Sequence, residues 1–145
     1  MITESIEIDR TPEEVFAYLD QLERHGEWQG AIESARVETE GPTRVGSRAT
    51  EMRRVPGGAR EFTYEVTEHD PPRRVSFLGV SGPVRPVGTV TVEPVGDGSR
   101  SRVTIQLELK GHGLGVLIAP LAMREARKRV PEDQARLKER LESGV

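Results

Sequence analysis

The chain has no cysteine. Its absence removes thiol nucleophiles, thiolate metal sites, CxxC redox pairs and every disulfide. Aromatic residues are almost as scarce, with three Phe, two Tyr and one Trp in 145 residues. So few rings offer little to stack nucleic-acid bases, and a net charge of -3 points the same way. No long hydrophobic run is present: Leu114 to Met123 is about half the ~20 residues of a bilayer span. The opening Met1-Ile2-Thr3-Glu4 lacks the basic and apolar regions of a signal peptide, so a cytoplasmic protein is expected.

What is present reads as one α+β domain, with 34% hydrophobic and 31% charged residues. Val116, Ala119, Met123, Ala126, Val130, Gln134, Leu137 and Leu141 recur at intervals of three and four, the seam of a long amphipathic helix from Leu114 to Leu141. In its first half Leu114, Leu117, Ile118 and Leu121 are apolar where a solvated face should be polar. Seam residues there are small or flexible, whereas the far end carries Leu137 and Leu141. A sheet gripping this helix would fill at the far end and leave a hollow beside Ala119, Met123 and Ala126. Pro131 lacks the N–H that the Arg127 carbonyl needs, and a bend is expected there in a continuous helix.

Ahead of that helix, Ile2, Ile6 and Ile8 alternate with polar residues as a half-buried strand does. Thr11-Pro12-Glu13-Glu14 reads as a capped helix start, with Val15, Phe16 and Leu19 on the buried face. A second short helix or set of turns follows around Gly26 and Gly30. From Ser34 to Lys110 the pattern is strand and turn, six strands in all. The Val80 to Pro86 stretch is too rich in Gly and Pro for a central strand and is expected to be a loop or bulged edge. Strands joined by short turns are antiparallel, and a curved sheet of seven needs the last helix as its cover.

Several local signatures occur in this order: Ile6-Glu7-Ile8, Pro12-Glu13-Glu14-Val15-Phe16, Trp28, Val45-Gly46, Gly57-Gly58, Asp70-Pro71-Pro72-Arg73-Arg74, Gly88-Thr89, and the Leu117 to Leu141 helix with Pro120. With these the whole chain resembles the polyketide cyclase and dehydrase-like family of the START-like, helix-grip superfamily. The resemblance implies a helix-grip fold. Members include ligand carriers and cyclases, so it specifies no single activity.

All three histidines, His25, His69 and His112, are expected in surface loops, without HxxxH or HExxH spacing. No metal, cofactor or histidine-dependent catalysis is therefore expected. Glycines 111, 113 and 115 lack the Lys and Ser/Thr of a phosphate loop and read as a flexible connection. Arg48, Arg53, Arg54, Arg60, Arg73 and Arg74 interleave with Glu51, Glu61, Glu65 and Glu68, which suits pairs on a solvated outer face.

The remaining constellation is apolar with a few polar handles: Trp28, Met52, Phe62, Tyr64, Phe77, Ile105 and Leu107, facing Ala119, Met123 and Ala126. It is either a filled core or the wall of a site for a small, mainly apolar molecule such as a lipid or polyketide. The second reading is adopted here, with no nucleic acid and no membrane span. Two alternatives stand beside it. One is a cyclase or dehydratase, which needs an inward polar pair such as Tyr64 with Arg48 or Glu51. The other is an interaction module that uses the Leu114, Leu117 and Leu121 side for docking or as a homodimer surface.

Overall fold

Alternation of apolar and polar residues with a period of two builds seven strands, each joined to the next pairing strand by a short turn wherever chain order allows. They are β1 (Ile2–Ile8), β2 (Ile32–Val37), β3 (Arg48–Val55), β4 (Gly58–Asp70), β5 (Arg74–Gly79), β6 (Val84–Val95) and β7 (Arg100–Gly111). The computed structural model, which describes residues 1–144, shows them as one antiparallel sheet in the order β1-β7-β6-β5-β4-β3-β2. Ile8, Val66, Val75, Val92 and Val103 from five strands are fully buried on its inner face. The outer face carries hydroxyl pairs such as Ser5–Thr104 (2.8 Å) and Ser76–Thr89 (2.9 Å), and ion pairs such as Arg48–Glu65 (2.9 Å) and Arg74–Glu68 (2.8 Å). Exposed pairs of this kind contribute less than about 1 kcal/mol each, so the inner face carries the stability.

Between the two edge strands, β1 and β2, the chain forms helix α1 (Pro12–Leu19) and a 3-10 helix (Leu22–Glu27). The start of α1 is the capping box that its residues predict: the Glu14 N–H donates to Thr11 Oγ1 and the Thr11 N–H to Glu14 Oε1, both at 3.3 Å. Its Val15, Phe16 and Leu19 close one end of the sheet's concavity.

One stretch of sheet departs from expectation. Residues Val84 to Pro86 are strand, not loop, and Pro86 pairs with Leu109 of β7 although β6 lies inside the sheet. The physical reason is that β5 pairing ends at Leu78–Val87, so Pro86 needs no donor on that side. A side chain at Gly79 would be driven into the Pro86 ring, which accounts for glycine there.

The C-terminal helix also starts later than its periodicity predicts. Residues Gly113–Leu117 form a 3-10 helix, and α2 runs from Ala119 to Glu142. The connection is not loose: the His112 N–H donates to the Pro83 carbonyl at 2.8 Å, and a Cβ on Gly115 would collide with that carbonyl. α2 continues without a break through Pro131. Along it Ala126, Val130, Gln134, Leu137 and Leu141 are buried, in the phase that their spacing predicts.

Polar bonds tie the C-terminal half of α2 down on two sides. The Gln134 amide donates to the Glu4 carbonyl of β1 (3.0 Å) and the Val103 carbonyl of β7 (3.4 Å), and Lys138 Nζ donates to the Glu7 carbonyl (2.9 Å). Toward the other edge, Asp133 Oδ1 accepts the Gly30 N–H (3.0 Å) and Arg136 donates to the Trp28 carbonyl (2.9 Å). Leu137 and Leu141 complete the main core between these anchors. Truncating Leu137 to Ala is therefore expected to lower stability by about 2–5 kcal/mol. The same truncation of Leu121, which is 56% exposed, should stay within about 0.5 kcal/mol. Denaturant unfolding of the two variants measures the contrast, and equal losses would contradict it.

Candidate functional site

Between the sheet and the flank of α2 turned away from β1, a cavity of about 670 Å³ remains. Its closed end is aromatic. Trp28, His25, Phe77 and Tyr64 form a chain of tilted or perpendicular rings, with centroids 5.7 Å apart for His25–Trp28, 6.2 Å for His25–Phe77 and 5.3 Å for Tyr64–Phe77. Edge-to-face packing of this sort fixes each ring against the next. Ile105 and Leu107 of β7 and Val75 and Val90 of β5 and β6 supply aliphatic wall, and Pro83, Val84, Ile118, Leu121 and Ala122 stand around the exposed end.

One wall is polar. Glu51 and Arg53 occupy alternate positions of β3 and form an ion pair of 2.8 Å, with side chains only 10% and 17% exposed. Arg53 also donates to Gln29 Oε1 at 3.0 Å. Across the cavity, Arg129 and Asp133 lie one turn apart on α2. Burial pushes the Asp133 carboxyl above its ordinary range, against the Gly30 N–H and the surrounding arginines, and burial likewise lowers the Arg129 guanidinium.

Two buried donors of lining residues have no partner among the described residues: Trp28 Nε1 and Tyr64 Oη, on side chains 4% and 7% exposed. Burial, reinforced by the Glu51 carboxylate, raises the Tyr64 pKa far above its ordinary value, so the side chain stays a phenol. His25 is different. Its Nε2 lies 2.8 Å from the Leu19 carbonyl, which can only accept, so that nitrogen carries the proton. Burial lowers the His25 pKa, leaving a neutral ring whose Nδ1 is an acceptor.

The expected site residues divide cleanly. Trp28, Phe62, Tyr64, Phe77, Ile105 and Leu107 line the cavity; Met52, Ala119, Met123 and Ala126 do not. Register explains the first misplacement: β3 pairs Met52 with Glu61 and Glu51 with Phe62, so Glu51 shares the inner side with Phe62 and Met52 points outward. The helix residues err for another reason. Ala126 is fully buried against Ile2 and Val130, and Met123 Sδ accepts the Leu109 N–H at 3.3 Å. Small and flexible side chains there let α2 sit close to β1 and β7 instead of holding a hollow open. The hollow lies one flank around, along Ile118, Ala122, Glu125, Arg129 and Asp133.

The histidines and charges need correcting too. His25 is buried in the 3-10 helix at the cavity, and His69 lies in β4 with Nε2 2.9 Å from Asp20 Oδ1; only His112 is an exposed connection residue. Glu51 and Arg53 belong to the cavity, not the solvated face. Arg48 pairs outward with Glu65, which leaves Glu51 as the carboxylate near Tyr64. Among the described residues, no three His, Asp or Glu side chains converge as a metal site requires.

Solved structures share this architecture. The chain aligns with the Zhui aromatase/cyclase from Streptomyces sp. R1128 at TM-score 0.79 and 13% identity, covering 97% of this chain and 92% of that one. A Thermus thermophilus protein, TTHA0849, aligns at TM-score 0.75 and 24% identity over 99% of both chains. A START superfamily protein from Mycobacterium smegmatis aligns at 0.73 and 14% over 99% and 98%. At these identities the likeness establishes the helix-grip fold alone. No curated protein matches the chain in sequence. A family profile does match residues 1–142, nearly the whole sequence, and by it the chain belongs to the polyketide cyclase / dehydrase and lipid transport family.

Proposed function

We propose that the protein binds a small, mainly apolar molecule bearing a hydrogen-bond acceptor at one end, held in the cavity between the sheet and α2. The observation that carries this reading is the largely apolar cavity itself, behind whose closed end Trp28 Nε1 and Tyr64 Oη, buried atoms of two lining residues, have no partner among the described residues. An unmet buried donor costs about 1–3 kcal/mol, and an acceptor on the ligand would recover part of that. The aliphatic walls would hold a chain or ring system, while Glu51, Arg53, Arg129 and Asp133 would orient its polar groups.

Native mass spectrometry of purified protein should show a co-purifying lipid or metabolite. Uptake of an apolar fluorescent probe gives the quantitative test. Ala122→Phe, at the cavity wall, is expected to weaken uptake about tenfold with the fold intact, whereas Ala126→Phe should overpack the helix–sheet contact and lower stability by about 1–3 kcal/mol. Unchanged uptake in Ala122→Phe would contradict the site. Tyr64→Phe should weaken an acceptor-bearing fatty acid about tenfold and leave a plain hydrocarbon probe unaffected.

A second reading, cyclase or dehydratase chemistry, draws support from one further observation: neutral His25 stands on the cavity wall with Nδ1 unprotonated, in the same aromatic chain as Tyr64. A base and a phenol in one site could remove and return protons. If turnover of a poly-β-ketone thioester is found, His25→Gln should reduce it by at least about 100-fold while probe uptake persists. Retained turnover would leave the binding reading alone. The lowered His25 pKa has its own signature. Its stabilising effect is full above the unfolded value of about 6.5 and is lost as pH falls, because the unfolded chain then binds the extra proton. The melting temperature should thus drop from pH 7.5 to 5.5, and His25→Gln should flatten that slope.

A further inference from the structure

Nine large hydrophobic side chains are exposed among the described residues, and five of them, Leu114, Val116, Leu117, Ile118 and Leu121, fall within one short stretch, 47–82% exposed. This stretch is the 3-10 helix and the first turn of α2. It is a firm projection, since Gly115 and His112 lock it onto the Pro83 carbonyl. Ile118 and Leu121 also line the exposed end of the cavity, so the apolar tip and the cavity mouth are continuous.

Charge is segregated to the same end. Residues 110–129 carry five cations, Lys110, Arg124, Arg127, Lys128 and Arg129, against the single carboxylate Glu125. That is a net +4 in a chain of net -3, which leaves -7 for the rest. Elsewhere most arginines are matched with carboxylates; among the described residues, none of these five cations forms an ion pair. Along α2 the 1.5 Å rise per residue sets Arg124 about 4.5 Å and Lys128 about 10 Å behind Leu121. An element lying in a bilayer interface buries its apolar side by about 5–10 Å, with cations at the level of the lipid phosphates.

We propose that this end of the molecule docks on an anionic lipid bilayer. The aliphatic tip enters the acyl region, Arg124, Arg127 and Lys128 meet the phosphates, and the cavity mouth faces the membrane. Two features favour a bilayer over a protein partner. The tip has no aromatic residue and no side-chain hydrogen-bonding group among its five apolar residues, whereas protein hot spots are built from Trp, Tyr and Arg seated in pockets. A second copy is disfavoured by charge, because a two-fold contact through the tip would bring two +4 ends together. The proposal is independent of what occupies the cavity.

Flotation with vesicles of phosphatidylcholine, with and without phosphatidylserine, tests it. The native chain should associate with the anionic vesicles at least about tenfold better than with the neutral ones. Leu114→Ser/Leu117→Ser and Arg124→Gln/Lys128→Gln alter residues outside the cavity lining. Each pair should reduce association about tenfold, with melting temperature and apolar-probe uptake unchanged. Absence of vesicle binding by the native chain would overturn the proposal, as would binding that persists in both variants. So would a dimer in sedimentation that Leu114→Ser/Leu117→Ser converts to monomer, or capture of a purified acidic carrier protein without vesicle binding.

Discussion

The burial of the C-terminal half of α2 is the constraint on which the rest of the structure depends. Leu137 and Leu141 enter the main core, and around them Gln134, Lys138, Asp133 and Arg136 bond to backbone groups of β1, β7 and the Trp28–Gly30 turn. These partners lie at both edges of the sheet. The other half of the helix rests on β1 and β7 alone, through Met123, Ala126 and Val130. The cavity is the geometric remainder between the rest of the sheet and the other flank of this 24-residue helix.

Composition then decides whether that remainder fills. Six aromatic residues are available, and Phe16 and Tyr18 of α1 are spent at the closed end of the sheet. Trp28, Phe62, Tyr64 and Phe77 reach the hollow but leave about 670 Å³ unfilled. Ala126 and Met123 were the wrong signal for this space, since they serve close packing of the helix on β1 and β7. Small residues on a seam report how near two backbones come. They do not by themselves report a void.

Most of the fold was legible in the chain because its determinants are local. The Thr11–Glu14 capping box, the period-two strands and the helical seam from Ala126 to Leu141 each need only a few neighbouring residues to declare themselves. The misread pieces depend on remote partners. Pro86 is tolerated in a central strand only because the pairing with β5 has ended, and Gly115 is constrained by Pro83, more than thirty residues away. The site was less legible for the same reason. Which of Glu51 and Met52 faces inward depends on register with β4, and no local pattern on β3 states that register. One signal was available on α2, where Ile118, Ala122, Glu125, Arg129 and Asp133 recur at intervals of three and four while Asp133 sits one turn before Leu137 of the seam.

The Glu51–Arg53 pair shows why the polar wall is better understood as a feature of the site than of the fold. An ion pair with both side chains largely out of solvent seldom stabilises a protein more than apolar residues of similar volume, because desolvation offsets the attraction. Here it faces two further charged side chains, Arg129 and Asp133, with the Tyr64 phenol held under the field of Glu51. Their common property is a position on the cavity wall, where, under the proposed binding function, fixed charges would orient the polar group of a bound molecule.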